Sequence, residues 1–103
     1  MTTANKQFAL AADIGGTNIR AALVDSEGRI TGRGSINTEP KRGIEDASNR
    51  LARLLNAAKA TAPIDTAIVG IGVSTAGPIR PDTGTYNNPP NLPGWHDKTM
   101  KPG

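Results

Sequence analysis

Two short apolar segments, held apart by only four residues, constrain this chain more than any other feature. FALAADI (residues 8–14) and IRAALVD (residues 19–25) flank Gly15-Gly16-Thr17-Asn18. A connection that short leaves no length for a crossover, so the two segments pair antiparallel. Ser26-Glu27-Gly28 forms a second turn. Ile30, Gly32, Gly34 and Ile36 then alternate with polar residues, the pattern of a third strand with one weakly packed face. The spacing predicts a three-stranded antiparallel meander over residues 7–38.

The period then changes. Ile44, Ala47, Leu51, Leu54, Leu55 and Ala58 fall on one helical stripe, which predicts a helix over 44–60. Glu45 and Asp46 in its first turn and Lys59 in its last suit the helix dipole, and Pro63 prevents simple continuation. Residues 65–74, DTAIVGIGVS, are apolar at most positions. They read as a parallel strand, central and covered on both faces, with Gly70 and Gly72 marking close approach by a neighbour. A right-handed crossover through the helix places this strand beside the first. Residues 77–103 hold four Gly and six Pro. They predict a small hairpin around Asp82-Thr83-Gly84, then a loop, NNPPNLPGW, that is neither helix nor central strand. The fold class expected is an α/β half-domain of order β-β-β-α-β with a mixed sheet.

Composition removes several functions. With 103 residues the chain is too short for a two-lobed enzyme. No cysteine and a single His96 exclude a disulfide scaffold and a thiolate metal site. The net charge of +3 is scattered, and one Phe, one Trp and one Tyr make no stacking platform, so nucleic acid is not an expected partner. The apolar stretch near the N-terminus, Phe8 to Ala12, is too short for a signal or a membrane span. A soluble cytoplasmic protein with no membrane partner is expected.

The Gly15-Gly16 turn carries the chemistry. Successive glycines admit positive φ and remove Cβ atoms, so neighbouring N–H groups can converge on an anion. Thr17 and Asn18 add polar groups, and Asp13 can hold a hydrated Mg²⁺ beside the same phosphate. No Gly-Lys-Ser/Thr follows, and the next element is a strand, so this is not a Walker loop. A plain hairpin is the alternative, and it leaves Asp13 unexplained.

DIGGTNIRAALVD resembles the first phosphate motif of sugar kinases in the actin/hexokinase/Hsp70 superfamily, and more narrowly that of the ROK family (repressors, open reading frames and kinases). GIGVSTAGPIRPDTGTYNNPPNLPGW is similar to that family's second signature. The two motifs stand in the expected order and separation, and the resemblance covers about residues 8–97. It implies a ribonuclease H-like, actin-like ATPase half-domain. It implies Asp13, Gly15, Gly16, Thr17 and Asn18 as nucleotide-phosphate contacts, with ATP and Mg²⁺ as cofactors and Asp13 as the water-mediated metal contact. Many relatives have Lys where Asn18 stands, so a charge is replaced by a hydrogen-bonding amide. Residues 77–97 become a sugar-side loop, with Gly77 approaching a hexose and Asn91 bonding its hydroxyls; an Asx-turn is the alternative role for Asn91. Trp95 is expected to anchor the loop, and Arg20, Arg80 and His96 to be solvated.

The resemblance further implies a parent of ~300 residues, a homodimer or higher oligomer, of which these 103 residues form the front part. The family's base, an Asp in an Asn-Asp-Ala-Asn motif, then lies beyond Gly103, so no catalytic residue is present and the isolated chain is inactive. Glucose is the favoured hexose. N-acetylmannosamine or fructose as substrate, polyphosphate as donor, a transcriptional regulator and a non-catalytic association module are the alternatives.

Overall fold

The computed structural model describes residues 7–100. Four strands and one helix follow in the order β1 (Gln7–Ile14), β2 (Asn18–Asp25), β3 (Ile30–Asn37), α1 (Ile44–Lys59) and β4 (Ala67–Thr75), with a single 3₁₀ turn at Pro40–Arg42 before α1. The sheet order is β3-β2-β1-β4. β1–β2 and β2–β3 are antiparallel, and β1–β4 is parallel. The meander, the helix, the parallel crossover and the mixed sheet expected from the sequence are all present.

Strand alternation decides which side carries the core. Phe8, Leu10, Ala12 and Ile14 of β1, and Ile19, Ala21 and Leu23 of β2, are buried on one face. The apolar stripe of α1 closes over that face with Ile44, Ala47, Leu51, Leu55 and Ala58, while Leu54 packs at its margin. Period 2 meeting period 3.6 in this way is what makes one continuous core. α1 has no side-chain N-cap; it starts after Gly43 at φ 96, with Glu45 and Asp46 supplying negative charge to its first turn. The β2–β3 turn is held by Asp25, whose Oδ1 accepts from the Glu27 and Arg29 amides at 2.9 and 2.8 Å.

β4 departs from expectation. It is parallel and adjacent to β1, but it is an edge strand and largely exposed rather than central and covered. Val69, Ile71 and Val73 are 61, 47 and 49 % exposed. α1 lies over β2 and β3 and reaches β1, leaving β4 outside its footprint. Nothing described comes within 4 Å of a Cβ built at Gly70 or Gly72, so the predicted close approach is absent among the described residues. A register shift opposite Ala9 also breaks simple alternation: Ile68, Ile71, Val73 and Thr75 pair with Phe8, Leu10, Ala12 and Ile14, so Ile68 shares the helix-side face.

The proline-rich segment is ordered by buried aromatics. Tyr86, Leu92 and Trp95 are fully buried. Tyr86 and Trp95 meet edge to face, with centroids 5.4 Å apart. Trp95 Nε1 donates to the Pro40 carbonyl at 3.1 Å, and the Tyr86 and Thr75 hydroxyls are 2.7 Å apart. Trp95 is therefore the anchor the sequence suggested. The hairpin around Asp82-Thr83-Gly84 is present, with the Arg80 amide donating to Thr85 O at 2.8 Å and Gly84 at φ 72.

Candidate functional site

The β1–β2 turn uses one of the two properties expected of its glycines, the missing Cβ, and not the other. Neither Gly15 nor Gly16 adopts a left-handed φ. What requires glycine at 16 is space: a Cβ there would stand 2.7 Å from Asn91 Cβ and 2.8 Å from Asn91 O. Two candidate residues, 75 positions apart in sequence, are thereby brought into contact. A side chain at Gly16 would therefore displace the Asn91 loop.

Hydrogen bonding sorts the turn's polar groups. The Gly15 amide donates to Asn18 O at 2.8 Å and so closes the hairpin; it is removed from the set of donors available to a ligand. The Gly15 carbonyl accepts from the Thr38 hydroxyl at 2.7 Å, and the Thr17 carbonyl from the Thr38 amide at 2.8 Å. The Ala76 amide extends the β1–β4 ladder onto Ile14 O at 2.7 Å. The amides of Gly16 and Thr17 donate to no backbone carbonyl among the described residues. The turn thus has its Gly15 and Thr17 carbonyls occupied, and its Gly16 and Thr17 N–H groups without a protein partner among the described residues, donors that an anion can use.

Asp13 is exposed at the end of β1, on the face away from α1, with Arg20 across the strand pair and Ser74 beside it on β4. The described residues contain no group of three or more metal-binding side chains. A lone carboxylate fits Mg²⁺ that arrives with phosphate oxygens and waters, and does not make an independent ion site. Asn18 opens β2 beside Asn37 of β3.

On the other side of the contact, Asn91 is exposed and its carboxamide bonds no other described residue, so the Asx-turn alternative is not observed. Gly77 is exposed just past β4, and a Cβ there would meet the Ile79 amide nitrogen at 3.1 Å.

Arg80 and His96 are not simply solvated. Arg80 binds Asp97 and reaches Asn87 Oδ1 at 3.2 Å and Thr85 Oγ1 at 3.3 Å. His96 Nδ1 accepts from the Asn88 amide at 3.0 Å, and its Nε2 lies 3.1 Å from Asp97 Oδ2. The hydrogen bond from Arg80 holds the Asp97 carboxyl below its ordinary pKa, with the charges of His96 and Arg80 adding to it against partial desolvation. These bonds staple the hairpin to the loop that carries Asn91. Arg20 is exposed, as expected.

Sequence reasoning missed Thr38 and Arg50. Thr38 is completely buried. The Arg50 guanidinium donates to the Thr38 carbonyl and, at 2.6 Å, to the Asn37 carbonyl, while Nε binds Asp46 Oδ2 at 2.8 Å. Burial raises the Asp46 pKa, but the bonds and charges of Arg50 and Arg42 outweigh it and the net shift is downward. The Asp46/Arg50 spacing of four was a legible helical pair; nothing in the sequence marked its reach to β3.

Residues 9–102 match the ROK family. The structure is similar to that of a ROK family glucokinase from Streptomyces griseus, solved in complex with glucose and AMPPNP: TM-score 0.75, 26 % identity, 91 % of this chain and 28 % of that one. It also resembles the fold of a glucokinase from Balamuthia mandrillaris solved in complex with glucose: TM-score 0.56, 19 % identity, 97 % of this chain and 30 % of that one. The chain spans under a third of the length of these relatives. With a match over nearly every residue, and the half-domain, the glycine turn and the Asn91 loop standing in the family's order, the chain belongs to the ROK family.

Proposed function

We propose that the chain forms the phosphate- and sugar-facing part of an ATP-dependent hexose kinase, with glucose as the acceptor and a cytoplasmic homodimer or higher homo-oligomer as the working form. The observation that carries this reading is the contact between Gly16 and Asn91. It sets a turn with two unoccupied amides against a loop with an unoccupied carboxamide, so a phosphoryl donor and a hydroxyl acceptor would meet at one place. The likeness to a glucokinase holding glucose and AMPPNP supports it.

In this mechanism the Gly16 and Thr17 N–H groups bond phosphate oxygens and offset charge that grows as the phosphoryl group moves. Asp13 would hold hydrated Mg²⁺ through a water, and the ion when bound would neutralise charge on the same phosphates. Asn91 suits a sugar because its carboxamide both donates and accepts, and Gly77 lets main chain approach the ring. None of the residues given a role here takes the hydroxyl proton, and that role of a base is left unassigned among them.

The test is a coupled assay of the reading frame containing this chain, with Mg-ATP and glucose. Asn91→Ala is expected to raise the glucose KM about tenfold, the loss of one good hydrogen bond, with the ATP KM unchanged. An unaltered glucose KM removes Asn91 from the site, and absence of phosphorylation by the wild type removes the kinase reading. A second reading, association of the isolated chain, is favoured by the exposed Val69, Ile71 and Val73 of edge strand β4; concentration-dependent mass in sedimentation would support it.

A further inference from the structure

Thr38 touches the glycine turn twice, and the two contacts act on different peptide units. Its hydroxyl donates to Gly15 O at 2.7 Å, and its amide donates to Thr17 O at 2.8 Å. A peptide unit is planar, and in the trans form its N–H points opposite to its C=O. The carbonyl of Gly15 and the amide of Gly16 belong to one such unit. Fixing that carbonyl toward Thr38 therefore fixes the Gly16 N–H in the opposite direction, away from β3. A donor on the carbonyl oxygen also polarises the unit and makes its N–H a stronger donor.

Thr38 is itself held. It is completely buried, its own carbonyl accepts from Arg50 of α1, and Arg50 also grips the neighbouring Asn37 carbonyl at 2.6 Å. Asp46, one helical turn earlier, binds Arg50 Nε at 2.8 Å and sets the guanidinium plane. The rigid element behind the turn is thus helix α1, linked to it through Arg50 and Thr38. Glycines at 15 and 16 lack side chains to restrict their own backbone, so beside the hairpin bond from the Gly15 amide to Asn18 O these groups orient the turn from outside.

We propose that Thr38 is a positioning residue that aims the Gly16 amide at an anion, with Arg50 as its support. This rests on the reading of the turn as a phosphate site. It assigns Thr38 no contact with the ligand; its effect passes through the Gly15–Gly16 peptide.

The experiment uses the isotope-labelled 103-residue chain and inorganic pyrophosphate as probe, with amide resonances followed by NMR. In the wild type the Gly16 and Thr17 signals shift saturably. Thr38→Val keeps the shape and removes the hydroxyl; it is expected to weaken pyrophosphate binding about tenfold and to displace the free-state Gly16 signal. Thr38→Ser keeps the hydroxyl and restores wild-type affinity, which a purely volumetric role for Thr38 would not predict. Should Thr38→Val fail to fold, Arg50→Gln decides the matter, with an expected loss of about threefold. Undiminished affinity in Thr38→Val, or in Arg50→Gln when the first does not fold, overturns the proposal and leaves the phosphate reading standing. A wild type whose Gly16 and Thr17 signals ignore pyrophosphate overturns both.

Discussion

β3 and β4 form the two edges of one sheet, and each carries two glycines in alternate positions, Gly32 and Gly34 against Gly70 and Gly72. Their surroundings are opposite. A Cβ at Gly32 would stand 2.7 Å from Thr61 Oγ1 and 3.0 Å from Ala58 Cα, and one at Gly34 would stand 2.8 Å from Leu54 Cδ2. At Gly70 and Gly72 it would meet nothing within 4 Å. The β3 glycines let α1 lie close to the sheet, while the β4 glycines leave a bare backbone among exposed Val69, Ile71 and Val73. A glycine in a strand licenses close approach; which element takes up that licence is a tertiary fact.

The sharpest way to break the comparison is Gly32→Ala. Gly32 sits at φ 62, and the added methyl meets helix backbone at Ala58. Left-handed strain and overpacking together predict a loss of about 3 kcal/mol, read as a lower urea midpoint at constant m. A loss under about 1 kcal/mol would mean that α1 is free to lift away from β3. Gly34→Ala is the intermediate case. Its φ is ordinary, and its obstacle is the end of the flexible Leu54 side chain, so the same measurement should give about 1 kcal/mol. Equal losses at the two positions would show that the helix contact, and not the φ at Gly32, sets the cost.

This contrast also explains which parts of the molecule were legible. The α1 stripe was, because Ile44, Ala47, Leu51, Leu55 and Ala58 announce a single face by their spacing alone and all prove buried. The meander was, because short turns leave antiparallel pairing as the only option. The place of β4 was not, since an apolar run states that a strand can be covered, not that a helix reaches it; nor did the sequence announce the register shift that turns Ile68 to the helix side. At the site, Asp13, Gly16, Thr17 and Asn91 stood out as chemistry-bearing types. Of the two properties expected of Gly16, the structure uses the missing Cβ and not a positive φ, and its partner Asn91, 75 residues away, could not be named from the sequence. Thr38 was invisible for a related reason: a lone threonine after a strand carries no local sign that its hydroxyl closes on Gly15 O.

The gentlest probe acts on β4. Gly72 lies on the face away from α1, paired with Ala11, at an ordinary φ and with open space where a side chain would stand. Gly72→Val replaces a residue that weakens strands with a β-branched one that favours them, and it removes backbone freedom from the unfolded chain. Denaturation should therefore show no loss and a gain of up to about 0.5 kcal/mol. The same substitution discriminates between the two glycine pairs in a way the β3 variants cannot. A loss of more than about 1 kcal/mol would mean that Gly72 is packed against something after all. β4 would then be a covered strand, as its apolar composition first suggested.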